Sequence, residues 1–345
     1  MCGRPRYCSL RRVEAVIERR YAVFKTWRLA GAAAVLLAGC GGLQMPPAKQ
    51  PAATGAVDAV RTQRAGSWMA SGAGKLDLLY VSDYERKDVY AYSYPAGKLS
   101  GVLKGILAHF VLPTGPCADA AGDVFIPDSA NSTVLVYAHG STKLLRTLLD
   151  LNELPYSCAV DPMTGDLAVV NLESASGAGG VSIYRHARGQ PKTYSFGSLY
   201  KYYFGGYDDA GNLFVDAGYS VPSEPFAFVE LPRGSSSLKL VTLNQSFNVP
   251  GGVGWDGKHV VVGDSKISTL YRFAISASVG TKVGSPRLRQ GRFVTQFLFA
   301  GGDVIAANFK GASAMSWKYP GGGAPAKIIK GFGEPFGVAL SKARK

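Results

Sequence analysis

The sequence is short of the residues that build most enzyme centres. It has only 4 histidines and 5 cysteines in 345 residues. His109, His139, His186 and His259 fall in no H-x-x-x-H or H-E-x-x-H spacing, which excludes the paired-histidine face of a zinc hydrolase. No G-x-S-x-G elbow, no phosphate-cradling P-loop and no EF-hand loop occurs. Charge is also scarce, at 18% of residues, and the 24 acids are outnumbered by 38 bases, for a net charge of +14. The apolar run LAGAAAVLLAG (29–39) is too short to cross a bilayer. An apolar fraction of 47% with so little charge excludes a disordered chain.

What is present begins with that run. It follows Lys25 and Arg28 and has the length of a signal-peptide core. It ends in Leu37-Ala38-Gly39-Cys40, which resembles the bacterial lipobox. The resemblance implies that residues 1–39 are a signal peptide and that Cys40 becomes the acylated first residue. The stretch before the run is unusually long, and a start near Val23 gives a compact leader. Residues 40–75 are rich in Gly, Pro, Ala and Gln, as expected of a flexible tether. Gly41, in place of Asp, favours the outer membrane of a two-membrane bacterium. The expected location is therefore the cell envelope, lipid-anchored, facing the periplasm or the cell surface. The leader accounts for +6 of the net charge. The remaining basic surface is not expected to meet nucleic acid, because the chain is exported.

Residues 76–345 carry a repeat with a period of about 45 residues. Its marker is a short apolar strand closing on or near Asp or Asn: LLYVSD (78–83), DVFIPD (123–128), DLAVVN (166–171), NLFVDA (212–217), HVVVGD (259–264) and DVIAAN (303–308). A Val- and Tyr-rich strand follows each marker, and a Pro- or Gly-rich strand precedes it, as in PYSCAVDPMTG (155–165) and PGGVGWDG (250–257). The pattern resembles NHL repeats and the six-bladed TolB-like propellers. The resemblance implies an all-β fold of six blades. The chain enters the repeats at LDLLYVSD, a second strand with no first, and leaves at PFGVALS (335–341), a first strand with no second. The C-terminal strand is thus expected to complete the first blade and remove the open sheet edges. The recurrent Asp and Asn residues are read as turn formers, since their short side chains bond nearby backbone N–H groups.

Three features remain as functional candidates. The aromatic segment YKYYFGGY (200–207) offers Tyr202, Tyr203 and Tyr207 for stacking on a sugar ring or a peptide. FGEP (332–335) resembles the start of the senescence-marker-protein and gluconolactonase propellers, which would make Glu334 a channel metal ligand. The other matched positions, Ser157, Phe204 and Gly252, depart from the asparagines of that family, and Glu153 lies outside its motif. Cys117 and Cys158 sit at odd offsets on neighbouring inner strands, so a disulfide across two blades is one expectation and two buried thiols the other.

The reading is an exported, lipid-anchored propeller that binds a protein, peptide or glycan without turnover and without a cofactor. A metal-dependent lactonase-like hydrolase and a structural protein of envelope assembly are the rivals, because the fold alone does not choose function. Cys40→Ala is expected to leave an unprocessed or soluble precursor. Fractionation of that variant with membranes after salt and carbonate washing contradicts the lipobox.

Overall fold

A computed structural model describes residues 66–105, 111–220 and 226–344. Cys40, the signal segment, the start near Val23, most of the 40–75 tether and His109 lie outside those residues.

The β-branched and aromatic runs form six small antiparallel sheets, the blades of a six-bladed β-propeller. Each sheet starts at an inner strand and steps outward through hairpins. The inner strands of blades two to six are Cys117–Ala118, Glu153–Val160, Leu199–Tyr207, Pro250–Trp255 and Val294–Ala300. Each marker forms the second strand of its blade, as in Val124–Asp128 and Val260–Asp264. Blade five gains an outer strand, Thr242–Leu243, which runs parallel to Val279–Gly284.

The chain ends close the ring. The inner strand of blade one is Pro335–Ser341, which pairs antiparallel with Leu78–Asp83 from Leu78 opposite Ser341 to Asp83 opposite Pro335. Each inner strand also packs against those of its two neighbours, all the way round from blade one to blade six.

Period-two alternation explains why these strands are apolar on both faces. Leu78 and Tyr80 face blade two and pack with Val124, Ile126 and Leu135, whereas Leu79 and Val81 face blade six and pack with Ile305 and Ala307. Phe125, one residue on from Val124, turns to blade three and meets Val169 and Tyr184. The core is therefore a set of layers between blades. One of these layers holds Cys117 and Cys158, joined by a disulfide with their Cα atoms 5.5 Å apart.

The folded unit begins at Gly66, earlier than the boundary at residue 76 expected from the repeats. Trp68–Met69 forms a short fifth strand on blade one, opposite Val102 and Gly101. A side chain at position 101 would collide with Met69 Sδ, so the glycine makes this docking possible. The final stretch of the expected tether is thus part of the propeller, with Ala73–Lys75 in a 3-10 turn.

Deleting residues 333–345 removes the strand that completes blade one and exposes the edge of Leu78–Asp83. The truncated protein is expected to aggregate or lose most of its stability in thermal melting. An unchanged melting temperature contradicts this closure.

Candidate functional site

The recurrent acids act within their own blades. Asp128 accepts hydrogen bonds from Leu112 N (2.8 Å) and Val111 N (3.0 Å), in the segment that leads into the inner strand. Asp264 accepts from Asn248 N (2.8 Å), and Asn308 from Arg292 N (2.6 Å). In blades two, five and six this contact spans the same sequence separation, 16 residues. Asp83 makes it across the chain ends, accepting from Gly333 N (2.8 Å) and Glu334 N (3.0 Å). Asp216 accepts from Phe204 N (2.7 Å), and its full burial pushes its carboxyl well above the usual range. The same acids also accept from the following turn, as in Arg86 N to Asp83 and Lys266 N to Asp264. Asp83, Asp128, Asp264 and Asn308 latch the lead-in segment to the end of the second strand, a longer reach than a local turn, whereas Asp216 bonds inside the inner strand Leu199–Tyr207.

Rings from four blades meet across the axis. Phe336 lies 4.9 Å from Tyr156, 6.1 Å from Phe204 and 6.2 Å from Phe309, between ring centroids. All four are buried, and Tyr84 adds a fifth ring 6.1 Å from Phe336. Nearby, Gln296 of blade six donates from Nε2 to Pro116 O of blade two and accepts from Val338 N of blade one, both at 3.1 Å. Gly337 sits at this crossing, where a Cβ would lie 2.7 Å from Gly115 Cα. The sequence reading missed this aromatic centre. Its signal was an aromatic residue directly after a proline near the start of the inner strand, in Pro155-Tyr156 and Pro335-Phe336.

Glu334 is half-buried at the start of that strand, and its backbone serves the latch: N–H to Asp83 and carbonyl to Tyr84 N (2.9 Å). The positions matched to the lactonase pattern serve packing. Ser157 Oγ donates to Tyr203 O (3.0 Å), Phe204 joins the rings, and Gly252 leaves room for Phe297. Among the described residues no group of three or more His, Cys, Asp or Glu comes together.

The three tyrosines separate. Tyr202 is fully buried between blades three and four, where its hydroxyl accepts from Phe196 N (2.7 Å). Tyr203 is buried against Tyr156, 6.0 Å between centroids. Both are placed for packing rather than for contact with a ligand, because a register shift between Tyr202 and Gly205 redirects this part of the strand. Tyr207 alone lines a concave surface. It opens onto a cleft of about 390 Å³ at the junction of blades three and four, with Tyr194, Asp161, Asp166, Lys192 and Arg233. Burial, with the nearby charges of Asp161 and Asp166, pushes the Tyr207 phenol up, so it stays a neutral hydrogen-bond donor. Lys192 Nζ sits 4.8 Å from the Tyr194 ring centre. Two rings, two carboxylates and two cations make a surface suited to a polyhydroxylated or mixed-charge ligand.

No family model matches the chain, and no curated protein matches it. Solved structures do. A chain of a nidogen/laminin complex is similar with a TM-score of 0.64 at 10% identity, over 78% of this chain and 100% of that one. A protein of unknown function from Bacteroides caccae is similar with a TM-score of 0.59 at 11% identity, over 77% of this chain and 99% of that one. At these identities the likeness establishes the fold: an all-β, six-bladed propeller.

Proposed function

We propose that the chain is an exported, lipid-anchored propeller of the NHL-like kind that serves as a binding module of the cell envelope. In this reading the Tyr207 cleft contacts a glycan or peptide. The observation that carries it is the contrast between two concave regions. The ring axis is occupied by packed rings and by the Gln296 bridge, whereas the cleft beside Tyr207 is concave and lined by two partly buried tyrosines and by charged groups. The nidogen/laminin neighbour supports the reading by fold analogy alone, since its propeller was solved in a protein complex. The lipobox at Cys40 and the tether before Gly66 support a body held at a membrane surface. The same arrangement suits an anchored partner in envelope assembly.

The test is a glycan and peptide array probed with purified protein, followed by titration of the hits. Tyr207→Ala is expected to weaken binding by about 10-fold or more, equivalent to about 1.4 kcal/mol. Tyr202→Phe, a core change, is expected to leave affinity unaltered. Metal-dependent hydrolysis of a lactone, abolished by Glu334→Gln, contradicts this reading in favour of the hydrolase.

A further inference from the structure

The latch is incomplete in blade three. Asn171 stands there at the position held by Asp83, Asp128 and Asn308 in other blades. Asn308 shows how an amide serves: Nδ2 donates to Ser313 Oγ (3.0 Å) on the third strand, and Oδ1 accepts from Arg292 N of the lead-in segment. Asn171 repeats the first half, with Nδ2 donating to Ser182 Oγ at 3.0 Å, also on the third strand. Its Oδ1 is buried and has no hydrogen-bond donor. The pairing of its strand with Glu153–Val160 shifts register on both sides of Asn171, which displaces the N–H groups that the latch uses elsewhere.

In their place the lead-in segment carries two acids. Glu153 N donates to Asp150 O (3.0 Å), so Asp150 and Glu153 share one turn. Asp150 is only 1% exposed; its Oδ1 accepts from Ser182 Oγ (2.7 Å), and its Oδ2 is buried without a donor. Glu153 Oε2 is buried without a donor as well. Neither carboxylate forms an ion pair among the described residues, and Lys201 pairs with Glu173 at 3.2 Å instead. Burial pushes both carboxyls up, that of Asp150 against the opposing pull of the Ser182, Tyr184 and Asn171 side chains, and that of Glu153 to about 7, with the charge of Asp150 adding to it. Asn171 and Asp150 meet at the Ser182 hydroxyl and Glu153 shares the turn of Asp150, so one corner of blade three holds three buried oxygens without donors, two of them acidic and one an amide. Unpaired acceptors of this kind are costly.

We propose that Asp150, Glu153 and Asn171 bind a hard divalent cation, calcium first, which replaces the missing N–H donors. The donor set is all oxygen, with the Ser182 hydroxyl beside it and no imidazole or thiolate, and this selects calcium or magnesium over zinc. Calcium tolerates an irregular shell of carboxylate, amide and carbonyl oxygens better than magnesium does. None of these residues lines the Tyr207 cleft.

The test titrates calcium chloride into the purified, chelator-treated full-length protein by calorimetry, with thermal melting in calcium and in EGTA alongside. One calcium per chain and a higher melting temperature in calcium are expected. Glu153→Gln, at a half-exposed position that tolerates the change, is expected to weaken calcium binding by at least 10-fold. Asp209→Asn, an exposed acid of blade four, is expected to leave it unaltered. Absence of calcium binding at millimolar concentration overturns the proposal, as does equal binding by Glu153→Gln. A melting temperature indifferent to calcium and EGTA that rises as pH falls through 7 also overturns it, and assigns the pair a shared proton.

Discussion

The buried side chain at the end of the second strand in blades one, two, five and six is the contact on which the ring depends. A propeller blade must turn its chain sharply into the inner strand, and the backbone N–H groups at that turn have no sheet partner. Asp83, Asp128 and Asp264 accept those N–H groups while themselves 0% exposed. The exchange is mutual. A buried carboxylate without donors is costly, and N–H groups facing an anion bond strongly, by about 1.5–3 kcal/mol per bond. Because the latch fixes where each inner strand begins, it fixes the strand's register, and a one-residue slip would reverse every side chain between two blade interfaces. In blade one the same contact joins Asp83 to Gly333 and Glu334, so ring closure uses the same chemistry as blades two, five and six.

With register fixed, the blades bind one another through short polar bridges around the axis. Ser82 Oγ donates to Thr114 O (2.6 Å), and Thr114 Oγ1 to Pro155 O (3.1 Å). Ser157 Oγ donates to Tyr203 O (3.0 Å), and Thr295 Oγ1 to Phe336 O (2.5 Å). These hydroxyls satisfy carbonyls that no neighbouring strand of the same sheet can reach. The disulfide reinforces the junction of blades two and three, and the rings around Phe336 fill the space inside the bridges. A centre built this way serves cohesion.

Much of this was legible because it recurs. One copy of a strand ending in Asp says little, but six copies at an even period define the blade, and the unmatched strands at the two ends define the closure. The contribution of each latch to tertiary structure was less visible: the link from Asp128 to Leu112 and the link from Asp83 to Gly333 use the same contact at very different separations. The aromatic segment around Tyr202 was ambiguous because aromatic residues serve blade packing as readily as ligand stacking, and Tyr202 and Tyr203 are buried in the core. The early start at Gly66 was hidden because Trp68–Met69 is too short for any periodicity. Blade three escaped entirely, since Asn171 fits the repeat by type and departs from it only in its partners.

The most direct measurement is native-state hydrogen exchange of the latch amides. Val111, Leu112, Asn248, Arg292, Gly333 and Glu334 precede the ordered inner strands, where loop amides ordinarily exchange fast. If the buried side chains hold the ring together, these amides exchange only on global unfolding, with protection equal to that of the second strands, and Gly333 and Glu334 match the others despite lying near the chain end. Exchange at the rate of exposed turns, with the second strands still protected, contradicts the account.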